Sequence, residues 1–386
     1  MALMRNDLRM GKEFWRNGVL VAVTLVGLAA LARAADVVYT IPRVRFVAMM
    51  LEVLRSRAVL DNPGVTGYYE RLFAASPTRT RNNGLLIYDH SFRIVRNKPN
   101  LDQQRDGMTT NSFGLIGRQC SQRKPANTRR VALLGDSIAQ GWGVQLNQSF
   151  GALLEDRLNT AHTNNFQRFE VLNFAVAGYE LTQILDVAEE EAPRFEPDVY
   201  MLALTELAVF RNWDTHLVNL IQMGIDPKYD FLKKTVRRAG ASRDDERVTL
   251  FGKLAPFRIP VLRETLAEIK FHAEHDHIPL LVVLVPAVED GELTRERFAG
   301  IRELLASLDI TVIDLLDTFE GIPDLDSVRF RGMHPANVHP NSRGHALIFE
   351  NLHAKLQDQP EAWSALVGGA PEAVKQAEVL TTQESH

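Results

Sequence analysis

The tripeptide Gly135-Asp136-Ser137 follows the apolar run 131–134 and leads into a stretch punctuated by Gly141 and Gly143. A hydroxyl at the carboxyl end of a buried strand, on a turn tight enough to need glycine, is one way an α/β protein presents a serine nucleophile. The same three residues also occur as plain turn chemistry, with Asp and Ser capping the next helix. A second segment favours the first alternative. Far along the chain, Met333-His-Pro-Ala-Asn-Val-His-Pro-Asn-Ser-Arg-Gly-His345 puts His339-Pro340-Asn341 just ahead of a predicted helix over 346–356. A serine early and a histidine late suit a nucleophile and its base, with Ser137 and His339 as the candidate catalytic pair. His334 is the alternative base, with His339 then structural. His345 reads as a packing residue on a helix face. His272, His275 and His277 do not share one helix face, so they read as a solvated helix end, not as metal ligands.

Elements must hold such a pair together. From residue 129 onward, short apolar runs alternate with longer amphipathic stretches, the pattern of a parallel sheet with crossover helices. The runs predict strands at 131–134, 169–175, 198–204, 280–286 and 310–315. Helices are predicted at 149–160, 181–192, 215–223, 260–275 and 294–308. Five strands with helices on both faces make a three-layer α/β/α sandwich over residues 128–360. Residues 224–250 carry a run of charged side chains that interrupts the alternation, among them Lys228, Lys233, Lys234, Arg237, Arg238, Arg243, Asp244, Asp245, Glu246 and Arg247, and read as a solvated, partly mobile insertion. Residues 35–127 show no βα alternation and read as a membrane-proximal arm with an extended lead-in at 105–118 that packs on the main domain. Residues 361–386 read as a flexible tail.

Composition narrows the classes. The chain has 386 residues, 45% hydrophobic and 24% charged, with a formal charge of -4. That is ordinary globular composition without the basic stripe that nucleic acid requires. Cys120 is the single cysteine, which excludes an internal disulfide and a multi-thiolate metal site; it reads as a small packed residue. At the amino terminus Arg5, Arg9, Lys12 and Arg16 precede an uncharged apolar run over 18–32, then Arg33-Ala-Ala-Asp36. Residues 1–34 therefore read as an export signal. Ala32-Arg-Ala34 fits a cleavage site, and an uncleaved inner-membrane anchor extending over 18–41 is the alternative. In both cases the bulk of the chain is expected at the periplasmic or extracellular face. A buried helix of a soluble protein is the third reading of this run.

With both ends of the constellation placed, residues 129–356 resemble the GDSL or SGNH hydrolase superfamily, serine esterases on a flavodoxin-like α/β/α sandwich with a five-stranded parallel sheet. The resemblance implies Ser137 as nucleophile and its backbone N–H as an oxyanion donor. It implies Gly178, in Asn173-Phe-Ala-Val-Ala-Gly178-Tyr, as a second backbone donor. The family's third block, Gly-x-Asn-Asp, reads Ala203-Leu-Thr205-Glu206 here, so Thr205 takes the place of the asparagine donor, with Asn212 a more distant candidate. A hydroxyl is one rotatable donor whereas an amide donates from a fixed plane. The fourth block, Asp-x-x-His, has Ala336 three residues before His339 and Arg331 three before His334. The acid would then come from Asp314, Asp317, Asp324 or Asp326, on or after the last strand. The resemblance implies no metal or organic cofactor. It implies hydrolysis of carboxylic esters, such as a small ester or the O-acetyl groups of an envelope or extracellular glycan. The alternatives are a glycan O-acyltransferase using the same pair, and a catalytically reduced glycan-binding or assembly protein.

Overall fold

The structure is a computed structural model that describes residues 86–88, 90–103, 108–160, 166–289, 291–330 and 338–369. These belong to a compact unit spanning Ala74–His386. The export signal, most of the arm before residue 86, and His334 with its neighbours lie outside the described residues.

The centre is a five-stranded parallel sheet. Its strands are β5 (Thr128–Leu134), β6 (Arg168–Asn173), β7 (Val199–Thr205), β8 (Leu280–Val285) and β9 (Thr311–Asp314), in the order β6-β5-β7-β8-β9. The strands β1 (Leu86–Tyr88) with β2 (Val95–Asn97), and β3 (Asp102–Gln103) with β4 (Met108–Thr109), form two antiparallel pairs ahead of it.

Every residue of β7 is buried, the signature of a strand covered on both faces. Side chains alternate across a strand. Val199, Met201 and Ala203 join one core with Phe150, Leu154, Ile348, Leu352 and Leu366. Tyr200, on the opposite face, places its hydroxyl 3.3 Å from the Ala188 carbonyl. The first face is covered by α2 (Phe150–Thr160) and α9 (Ser342–Gln357), and the second by α3 (Leu181–Glu190) with α7 (Arg258–His275). The three-layer sandwich expected from the sequence is thus present.

Two expectations are corrected. Residues 224–250 keep a solvated charged face but are not merely solvated: α5 (Asp230–Ala239) and α6 (Arg247–Leu254) bury Leu232, Leu250 and Leu254, and Arg247 donates to Asn219 (2.7 Å) and Gln222 (2.8 Å). The tail is ordered at its start. Pro360–Val367 forms α10, with Ala362 and Leu366 buried, and Arg129 donates to the Leu366 carbonyl at 2.9 Å. The lead-in packs on the sandwich as expected, Ile116 N–H donating to the carbonyl of Asn173 on edge strand β6 at 3.1 Å. At the other edge, Gln359 donates to the Val312 carbonyl at 3.4 Å and Lys355 to that of Asp314 at 2.5 Å.

Candidate active site

Strand order reverses between β5 and β7, because the chain leaves β5 for β6 on one side and returns to β7 on the other. Open α/β sheets bind ligands at the carboxyl ends of strands flanking such a switch point. Ser137 follows β5 and Thr205 ends β7.

The turn after β5 is dictated residue by residue. A Cβ on Gly135 would lie 2.5 Å from Ala139 Cβ and 3.2 Å from the Ala203 carbonyl oxygen, so only glycine fits between the strands. Asp136 caps the short helix α1 (Ser137–Gln140), its Oδ1 accepting from Ile138 N–H at 2.9 Å. Gly141, at φ 80, ends the helix after one turn. Ser137 is therefore the first helical residue, held at the strand's tip and only 7% exposed.

His339 arrives from the other end of the chain on a clamped segment. Val288 N–H, just past β8, donates to the Val338 carbonyl at 2.8 Å, and Phe330 N–H donates to the His339 carbonyl at 2.8 Å. Asn341 caps α9 through Gly344 N–H at 3.0 Å, while its amide donates to the carbonyls of Ser327 (3.0 Å) and Arg329 (3.2 Å). Gly344 is required there, since a Cβ would meet the Val328 oxygen at 2.5 Å. This is the physical sense of His-Pro-Asn: the cap fixes the helix start and so fixes the histidine two residues earlier.

The result is a Ser137 Oγ to His339 Nε2 distance of 2.7 Å. Trp142 packs on the imidazole, ring centres 4.9 Å apart, and on Phe330 at 5.4 Å. Burial holds His339 down at about 4 from an ordinary 6.5, because a charged imidazole has no water there. The ring is thus neutral at physiological pH, with a lone pair able to take the serine proton. His345 lies fully buried on α9, stacked on Phe150 and lowered to about 3 by burial and by His339. It is the packing residue expected.

Gly178 sits at φ +82 in a tight turn closed by Tyr179 N–H on the Val176 carbonyl at 3.1 Å. Among the described residues, no acceptor faces the backbone N–H of Gly178 or of Ser137.

Thr205 requires correction. Its hydroxyl donates to Asp136 Oδ2, deep in the protein. One O–H carries one proton, so it is committed to that carboxylate and is not an oxyanion donor. Burial still raises Asp136 to about 6, with the Thr205 hydrogen bond opposing the rise. Asn212 uses its own N–H to close a turn on the Leu207 carbonyl at 3.0 Å.

The four acid candidates are engaged elsewhere. Asp314 pairs with Arg302 at 2.6 Å, Asp317 with Lys355 at 2.7 Å and Asp326 with Arg329 at 3.0 Å, and Asp324 accepts from Asp326 N–H at 3.0 Å. Among the described contacts none of these four carboxylates is hydrogen-bonded to His339, whose pKa burial lowers.

Several supporting residues had no signal in the spacing of the motifs. Asn173 donates to the Ala139 carbonyl at 2.9 Å and accepts from Ala175 N–H at 3.0 Å, tying the Ser137 helix to the Gly178 loop. Glu206, next to Thr205, is fully buried between Arg211 (2.8 Å) and Arg297 (2.6 Å). Glu289, next to Val288, pairs with the same two arginines and is pushed up to about 7 by burial and by Glu206. A separate cleft of about 730 Å³ lies beside β6, lined in part by Arg118, Cys120, Glu155 and Arg168, and contains neither Ser137 nor His339.

Comparison with known proteins gives structural likeness only. No family model matches the chain, and no curated protein matches it in sequence. Among solved structures it is similar to TesA, at 15% identity and a TM-score of 0.37, covering 60% of this chain and 99% of that one. It is similar to the psychrotrophic esterase EstA from Pseudoalteromonas sp., at 10% identity, a TM-score of 0.39, and coverage of 60% and 97%. It is also similar to the acetylxylan esterase Axe2 from Geobacillus stearothermophilus, at 12% identity, a TM-score of 0.40, and coverage of 59% and 94%.

Proposed function

We propose that this chain is an SGNH-type serine hydrolase that cleaves carboxylic esters through Ser137 and His339. The observation that carries this reading is the 2.7 Å contact between Ser137 Oγ and a neutral, buried His339 Nε2. Ser137 Oγ attacks the ester carbonyl carbon while Nε2 takes its proton. The backbone N–H groups of Ser137 and Gly178 hold the oxyanion. Collapse expels the alcohol, which takes the proton back from His339, and leaves an acyl-serine. Water, deprotonated by His339, then attacks the acyl carbon and releases the acid.

The substrate class in this reading is the O-acetyl groups of an envelope or extracellular glycan. It is supported by the basic and apolar run at residues 1–34, which favours a location outside the cytoplasm. The test is labelling with a serine-directed fluorophosphonate and turnover of p-nitrophenyl acetate and acetylated glycan, with Ser137→Ala and His339→Ala in parallel. Labelling and acetate release that vanish in both variants are expected. Equal turnover in wild type and Ser137→Ala overturns the reading, and acyl transfer to unmodified glycan without acetate release would make the chain a transferase.

A further inference from the structure

The hairpin before the sandwich reaches into the site. Asn97, the last residue of β2, is 5% exposed although it is polar. Its Nδ2 donates to the Ala175 carbonyl at 3.2 Å, and Gln140 Nε2 donates to its Oδ1 at 3.0 Å. A carbonyl can only accept, so Ala175 fixes which end of the Asn97 amide is nitrogen, and that in turn fixes the Gln140 amide. Gln140 closes the helical turn that Ser137 opens, and Ala175 lies three residues before Gly178. One side chain from outside the sandwich therefore spans the nucleophile helix and the loop of the second oxyanion donor. Gln140 Oε1 is buried with no partner, so Asn97 is the only described hydrogen bond holding that side chain.

The rest of the hairpin grips the same region through successive carbonyls. Tyr179, adjacent to Gly178, donates its hydroxyl to the Val95 carbonyl at 2.7 Å. Gln183 Nε2 donates to the Arg93 carbonyl at 2.8 Å. His216 Nε2 donates to the Phe92 carbonyl at 2.6 Å, which leaves Nδ1 to accept from Thr182 at 2.8 Å. Arg93 adds an ion pair with Asp186 at 3.1 Å.

We propose that Asn97 is a positioning residue, and that the hairpin Leu86–Asn97 sets the spacing between Ser137 and Gly178. This rests on the Ser137–His339 reading. Asn97 touches no reacting atom; it acts by holding the attacking oxygen and the oxyanion donor in register, where a displacement of about 1 Å costs on the order of 100-fold in rate. The chain ahead of the sandwich is then part of the site and not a tether.

The experiment compares the full chain with Asn97→Ala, Asn97→Asp and Gln140→Leu in steady-state hydrolysis of p-nitrophenyl acetate, at a temperature where circular dichroism shows each folded. Asn97→Asp keeps the acceptor for Gln140 but opposes a carboxylate to the Ala175 carbonyl, so it separates the two links. Gln140→Leu removes the unpartnered oxygen with the link and retains the buried volume. The expected result is a kcat lowered about 10- to 100-fold in Asn97→Ala and Asn97→Asp, a smaller fall in Gln140→Leu, and a KM within about 2-fold of wild type. A KM that rises while kcat holds, or kcat unchanged in Asn97→Ala, overturns the proposal alone. Wild-type turnover that persists in Ser137→Ala overturns the Ser137–His339 reading and this one with it.

Discussion

Acidification is the perturbation that most directly interrogates His339. The imidazole acts as base only when neutral, and burial lowers its pKa from 6.5 to about 4. The active form is therefore present above that value and is lost as pH falls through it. At pH 5 a pKa of about 4 leaves ~90% of the ring neutral, whereas an ordinary histidine would be only ~3% neutral, a difference of about 30-fold in active enzyme. The assay is kcat/KM for p-nitrophenyl acetate between pH 3.5 and 8, each reaction quenched into alkali to read the phenolate, with circular dichroism at every pH. Folding limits the low end, because His216 and His345 are also buried and held down, at about 4 and about 3. Each takes up its proton at higher pH in the unfolded chain, so stability falls as pH drops from about 6.5 toward 4. Asp136, raised to about 6, works in the opposite direction. The expected profile is flat from pH 8 to about 5 and falls below it. An acid limb centred near pH 6.5 in folded protein would show that His339 is solvated or carboxylate-paired and would refute the reasoning.

Two further outcomes follow from the buried polar groups. Thr205→Val retains the shape but removes the donor to Asp136, so it should destabilise by about 1–3 kcal/mol in thermal melts at pH 8, with a smaller penalty at pH 5 where the carboxyl is protonated. Arg297→Met leaves Glu206 and Glu289 sharing Arg211 alone, so urea unfolding should show a loss of about 3–5 kcal/mol that grows as pH rises through about 7 and Glu289 becomes charged.

The sandwich was legible because strands buried on both faces leave continuous apolar runs. Val131–Leu134, Val199–Leu204 and Leu280–Val285 could hardly be anything else once helices alternate with them. Ser137 and His339 were legible for a related reason: a glycine turn and an asparagine cap are local devices, readable without knowing what they face. What failed was whatever depends on direction. Thr205 stands where an asparagine was expected, but its hydroxyl points across to Asp136 in the turn after the neighbouring strand β5, and spacing carries no such information. Asn97 gave no signal because β1 and β2 are three residues each and its partners lie in distant sequence. Residues 224–250 misled because their charges outnumber Leu232, Leu250 and Leu254, the side chains that anchor α5 and α6.

The sheet's borders bear on self-association. A parallel sheet ends in two rows of unpaired backbone groups that could template another strand. Here Ile116 occupies the Asn173 carbonyl on one border, and Gln359 and Lys355 occupy those of Val312 and Asp314 on the other. An incoming strand would have to displace a bridging backbone at one side and a half-buried lysine at the other. Copies of this chain that meet should therefore do so through helices and loops, leaving the strand ends at the switch point free for substrate.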